Sequence, residues 1–311
     1  MSATTAGTRA TGRVGRQRRG RSNVTRRPLT GMLFVAPTAL IVAALFLVPL
    51  AILVYMSFTD WPLLGSPTPN GFKNYSDIVH DHLFLGAIRF TLFYTLVTTV
   101  VTFGVSFVLV AVSNSPRRGS LFYRTAFFLP YVVGTAAASL MWFVDYSDQV
   151  GVFNRILQGV GLTHGPAGFL GTPTKATFAV ILMVVWKFIG FQVVVLLVGL
   201  QSIPGELYEA ARVDGADTLD RLRFITVPFL RPTLALLFIL SVTGSLLAFD
   251  QFIVLTAGGP DNSTITLVYA IYKTAFTSFD LGSAAALSVV LLLALVVINV
   301  VQLRFLRRED A

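Results

Sequence analysis

The chain contains no cysteine. Disulfides, thiolate metal sites and cysteine nucleophiles are therefore excluded. Charge is scarce: Asp, Glu, Lys and Arg make up 13% of the 311 residues, against roughly 25% in a soluble domain. The only histidines are His80, His82 and His164, and they show no metal-ligand spacing with acidic partners. A G-x-x-x-x-G-K-[ST] phosphate loop is missing; Gly168 to Lys175 comes nearest and lacks the spacing. H-E-x-x-H and G-x-S-x-G are missing too. The chain is expected to have no catalytic site, no metal and no cofactor of its own. Any ATP that drives it must sit on another polypeptide.

What is abundant is apolar surface. Hydrophobic residues make up 54%, and mean hydropathy is +0.73. The composition is that of an all-α polytopic membrane protein. About six spans are expected, each of roughly 20 residues or more. They are Met32–Met56, Ala87–Val112, Leu121–Phe143, Thr177–Leu200, Phe229–Phe249 and Ser283–Phe305. Pro37, Pro49 and Pro130 fall within or near them, where neighbouring helices can satisfy the freed backbone groups. Residues 1–30 form an arginine-rich tail without apolar periodicity, expected to be disordered. Residues 31–311 form the membrane domain.

The net charge of +9 would suggest nucleic acid in a soluble protein. Here its placement sets topology instead. The tail, the Arg117/Arg118/Arg124 turn, the loop 201–232 and the Arg304/Arg307/Arg308 end hold nearly all the loop arginines. The alternate loops hold few basic residues: Lys73, Arg155, Lys175 and Lys273. The first set is expected to be cytoplasmic, with both termini inside. The tail also has the charge to touch anionic lipid headgroups.

The loop Gln201 to Pro232 organises the rest. Pro204 suits a first helical turn, and Leu207, Ala210 and Ala211 share one small apolar face. Gly215 stands where a left-handed residue ends a helix. Asp217 and Asp220 have the spacing of a capping box. A second short helix is expected through Arg221, Leu222, Phe224 and Ile225, ended or kinked by Pro228. Glu209-Ala210-Ala211, Gly215, Ile225 and Pro228 resemble the EAA loop (EAA-x3-G-x9-I-x-L-P) of bacterial ABC-importer permease subunits. Val227 replaces the usual Leu. Gln201-Ser202-Ile203-Pro204 and Glu206-Leu207-Tyr208 resemble the carbohydrate-uptake branch, with maltose- and glycerol-phosphate-type permeases.

The resemblance extends over most of the chain beyond the tail. Ser57 to Trp61, Gly71 to Tyr75, Phe128-Leu129-Pro130, Gly190-Phe191, Gly258-Gly259-Pro260 and Phe279 to Gly282 fall in family order. Phe90 departs from it, standing where the family often has Asn. The resemblance implies a type I importer permease fold with six transmembrane helices and a cytoplasmic helix-turn-helix coupling loop. It implies the inner membrane of a bacterium and a second, different permease subunit. Two ATP-binding subunits would carry ATP and magnesium, and an extracytoplasmic binding protein would deliver a sugar or related solute. Glu209, Ala210, Ala211, Gly215, Ile225 and Pro228 would form the docking element. Importers of amino acids or peptides share this loop and remain an alternative.

An ATP-independent carrier or channel is a weaker alternative. Every Asp and Glu falls in a loop, the tail or a span edge, whereas ion-coupled carriers usually need an ionisable group deep in the membrane. Lys187, in the fourth span, is the charged exception. It either lines the solute path, together with Gln192, or bonds a backbone carbonyl or the partner permease. Ser241 and Ser245 in the fifth span suit helix packing or the path. Asp250 and Gln251, at its outer end, have the chemistry to meet a sugar hydroxyl or a binding protein.

Overall fold

A computed structural model describes residues 28–113 and 120–307. The tail through Arg27, together with Arg117, Arg118 and Arg308, lies outside the described residues. Two units divide the chain, residues 1–49 and 50–311. The first holds α1 (Pro28–Val42) and a π turn, Ala43–Leu47. Helix α2 (Val48–Ser57) begins at its end.

The second unit bears everything discussed below. A two-residue strand β1 (Thr59–Asp60) pairs antiparallel with β2 (Thr68–Pro69), Thr59 opposite Pro69. Then come α3 (Lys73–His80), α4 (His82–Ser113), α5 (Ser120–Val132), α6 (Thr135–Asp145) and α7 (Val152–Gly159). Helix α8 (Pro173–Gln201) leads through the loop helices α9 (Gly205–Val213) and α10 (Thr218–Arg221) into α11 (Val227–Leu246). Helices α12 (Asp250–Leu255), α13 (Leu267–Phe276) and α14 (Leu281–Arg307) complete it.

Five helical stretches among the described residues are long and apolar enough to cross a membrane: Met32–Ser57, His82–Ala111, Pro173–Gln201, Thr218–Leu246 and Leu281–Arg304. The sixth expected span is broken. Phe122–Val132 and Thr135–Asp145 meet at 98°, where one span over Leu121–Phe143 was expected. Pro130 lies one turn before the break, and Gly134 has the extended dihedrals φ −56°, ψ 143°. Proline frees a carbonyl and glycine resists helix, so the run yields there.

At Pro228, where an end or a kink was expected, the end does not occur. The proline neither ends the second loop helix nor separates it from the fifth span. The helix runs on from Thr218 to Leu246 through a π turn, Leu222–Thr226. The wider π turn falls where the proline ring would meet the carbonyl of residue 224. Thr226 Oγ1 bonds the Arg221 carbonyl at 3.2 Å. The same device precedes Pro49, after the turn Ala43–Leu47. The fifth span also ends early, at Leu246 rather than Phe249.

The markers that follow α2 and precede α14 pack on one another. Asn74 Nδ2 donates to the carbonyls of Ser57 and Thr59, both at 3.0 Å. Tyr75 OH bonds Ser57 Oγ at 2.7 Å. A Cβ on Gly282 would lie 2.9 Å from Asn74 Nδ2, which is why a side chain is missing there.

The main core lies between α4, α8, α11 and α12, around Tyr94, Met183, Leu196, Leu237 and Phe252. Helix α8 approaches α5 at Gly190, where a Cβ would lie 2.8 Å from Phe128 Cα and closer still to the Phe127 carbonyl. Small residues let membrane helices approach to this distance. Gly190→Ala is therefore expected to force α5 off α8 and cost about 1–3 kcal/mol by overpacking, read as a lowered melting temperature of the detergent-solubilised protein. Unchanged melting would show that the two helices do not seat this closely.

Candidate functional site

A cavity of about 380 Å³ opens between α4, α5, α6, α8, α11 and α12. That volume lies within the roughly 300–1,000 Å³ typical of small-molecule sites. Five residues expected on the path line it: Gln192, Ser241, Ser245, Asp250 and Gln251. Both helix breaks border it. Tyr131 and Thr135 flank the bend between α5 and α6, and Leu247 to Phe249 form the gap before α12. Non-helical backbone at membrane depth is tolerated where protein buries it or where it lines a wet cavity.

The polar lining is tied across helices. Gln192 Nε2 donates to Ser241 Oγ at 2.8 Å, joining α8 to α11. Ser106 Oγ donates to Gln192 Oε1 at 3.1 Å, joining α4. Thr98 and Ser245 hydroxyls lie 3.3 Å apart. Gln251 Nε2 donates to Tyr94 OH at 3.1 Å. Gln192, Ser245 and Gln251 are buried, whereas Asp250 is exposed at the rim. Sequence reasoning missed the α4 contribution of Tyr94, Thr98, Thr99 and Thr102. Five hydroxyls within nine residues of one span, Tyr94 to Thr102, were the available signal.

Lys187 lies apart from this lining, in a shallow recess with Val133 and Gly134. It is 3% exposed. Its ammonium donates to the carbonyls of Tyr131, at 3.4 Å, and Val133. It also sits 5.4 Å from the Phe188 ring centre and 5.9 Å from that of Tyr131, within reach of the π faces. The lysine therefore serves the carbonyls released by the break. Of the two roles open to it from the sequence, this geometry fits the backbone contact.

The loop between α8 and α11 is built from local caps. Pro204 is the N-cap of α9 rather than a residue within its first turn. Gly215 has φ +80°, which glycine adopts without strain. Its N–H bonds the Arg212 carbonyl at 3.2 Å, and the Ala216 N–H bonds the Ala211 carbonyl at 2.9 Å. These two bonds form a Schellman motif. Asp217 and Asp220 complete the capping box at 2.8 and 3.3 Å. Tyr208 OH lies 2.9 Å from Thr226 Oγ1 and pins α9 to the π turn. Glu209, Ala210 and Gly215 are exposed; Ala211, Ile225 and Pro228 are half-buried. Val213 is 88% exposed and Leu219 68%, so the loop offers apolar side chains that the described residues leave uncovered.

Residues 108–310 match the binding-protein-dependent transport system inner membrane component family. The chain belongs to that family. Among its relatives are two curated permeases. The multiple sugar-binding transport system permease protein MsmF of Streptococcus mutans is 32% identical over 90% of this chain and 96% of its own. The sn-glycerol-3-phosphate transport system permease protein UgpA of Agrobacterium fabrum is 32% identical, over 89% and 94%. A crystal structure of a bacterial ABC transporter involved in import of the acidic polysaccharide alginate superposes with TM-score 0.78 at 24% identity. That match covers 90% of this chain and 95% of the other, and it shows a shared permease fold.

For a family member that must open and close a path, the bend at Val133 and Gly134 is a point of mechanical weakness held by one ammonium. Lys187→Leu is expected to leave two carbonyls unpaired at about 1–3 kcal/mol each. The melting temperature of the solubilised protein would fall by several degrees. An unchanged melting curve would show that the break does not depend on this donor.

Proposed function

We propose that the chain is a permease subunit of an ATP-driven importer for a sugar or related solute, with α4, α8, α11 and α12 enclosing its share of the path. Both termini and the loop 201–232 would face the cytoplasm, as the arginine distribution requires. A second permease subunit would complete the path. Two ATP-binding subunits, carrying ATP and magnesium, would grip the loop. A binding protein outside the membrane would deliver the solute. The sugar class rests on relatives named for multiple sugars and glycerol phosphate.

The observation that carries this reading is the placement of α9. It is capped at its C-terminal end, exposed over most of its surface, and lies in the loop between the two helices whose Gln192–Ser241 bond crosses the cavity wall. Beside the loop, α8 and α11 pack tightly: a Cβ on Gly199 would lie 2.8 Å from both Leu230 Cδ2 and Thr233 Oγ1. A pull on α9 would thus reach both cavity helices together. Closure of the ATP-binding pair would tilt them and switch access from outside to inside.

Glu209→Lys reverses the charge on the exposed face, and Gly215→Pro demands a φ near −65° where the chain has +80°. Each is expected to lower ATP-driven uptake in proteoliposomes at least tenfold, or to release the ATPase during purification, while membrane insertion persists. Normal uptake with the ATPase bound in either variant would remove the docking role from α9.

A further inference from the structure

The cavity carries information about the charge of its solute. Among the described residues lining it, none is Lys, Arg or His, and the single carboxylate is Asp250 at the rim. Lys187, next in the chain to the lining residue Phe188, spends its ammonium on the carbonyls of Tyr131 and Val133. A phosphate or uronate entering here would give up water with no counter-charge in return, a penalty of several kcal/mol. It would also pass a carboxylate of its own sign.

Neutral hydroxyls meet a different surface. The amides and hydroxyls of the lining both donate and accept. One of them is unspent. Thr98 and Thr102 turn their hydroxyls back to the carbonyls of Tyr94 and Thr98, both at 2.6 Å. Thr99, on the same helix and in the lining, does not. It is 8% exposed, and its Oγ1 has no hydrogen-bond partner. That oxygen is closed to solvent, so a ligand hydroxyl reaches it only when the surrounding side chains part; pairing there would relieve the cost of about 1–3 kcal/mol that an unpaired buried hydroxyl carries. Tyr131 and Phe191, stacked at 4.8 Å and 18°, also border the cavity. A lining of uncharged polar groups and aromatic rings suits a solute with hydroxyl edges and apolar C–H faces.

We infer that the cavity accepts an uncharged polyhydroxylated solute, a neutral sugar or sugar oligomer, and rejects phosphorylated and acidic ones. This rests on the reading of the chain as a carbohydrate-importer permease. It sets the chain apart from the relative named for glycerol phosphate and from the structural neighbour named for acidic alginate.

The test is equilibrium binding to the purified complete importer in detergent. The probes are radiolabelled neutral mono- and oligosaccharides, each paired with its uronate or phosphate ester. At least one neutral sugar should bind, with its charged counterpart at least tenfold weaker. Thr99→Val should weaken the neutral ligand about tenfold, and Thr99→Ser, which keeps the hydroxyl, should restore it. Tighter binding of a uronate or phosphate ester than of its neutral parent overturns the inference and leaves the carbohydrate-importer reading standing. Undiminished affinity in Thr99→Val overturns the role of that hydroxyl. Failure of every carbohydrate, with ATP-driven uptake of an amino acid or peptide, overturns both the inference and the reading beneath it.

Discussion

A carbonyl freed from its helix inside hydrocarbon has no water to turn to, and this constraint governs the site. The span that begins at Ser120 breaks before Thr135, and the ammonium of Lys187 takes up carbonyls on both sides of Val132. A lysine at membrane depth costs about 2.5–3.5 kcal/mol on insertion scales when unpartnered. A broken helix costs a comparable amount when its carbonyls are unpartnered. Each defect supplies what the other lacks. Tyr131 and Thr135, one on each side of the break, both line the cavity.

The same constraint explains where the remaining polar groups sit. Tyr94, Thr98, Ser106, Gln192, Ser241, Ser245 and Gln251 bond one another across α4, α8, α11 and α12. In lipid, polar side chains gain by turning inward to such partners. A ring of them leaves room for solute only where a partner is missing or replaceable. On α4 the hydroxyls of Thr95 and Thr99 have no partner, so the bonding between these helices is incomplete along this stretch.

Much of this was legible in the sequence, and what was not has physical reasons. Span positions followed from run length alone, since nothing but a helix or closed barrel can cross hydrocarbon. Gly215, Asp217 and Asp220 were readable because caps are local: a left-handed glycine and a three-residue carboxylate spacing need no distant partner. Pro130 and Pro228 were ambiguous for the opposite reason. One precedes a 98° break and the other lies within a continuous helix. The difference is made by a glycine four residues on in the first case and a π turn just before in the second. Lys187 carried two readings until a distant carbonyl chose between them. The hydroxyl-rich run from Tyr94 to Thr102 was visible, but not which hydroxyl stays unpaired, because a threonine that bonds its own helix and one that does not are written alike.

The loop and the cavity are linked by geometry rather than by sequence distance. Helices α8 and α11 meet at the capped loop and run apart from it, held near its base by the close contact at Gly199 and further in by Gln192 and Ser241. A rigid elbow between two such helices transmits force only if its own ends do not fray. The Schellman turn at Gly215, the capping box at Asp217 and the Tyr208–Thr226 contact each tie off one end. The unbroken passage of α10 through the π turn into α11 matters for the same reason. Had Pro228 severed that helix, motion at α9 would have been absorbed in a hinge before reaching the cavity. With the helix continuous, a displacement at the exposed loop would be carried along α11 toward the Gln192–Ser241 bond in the cavity wall.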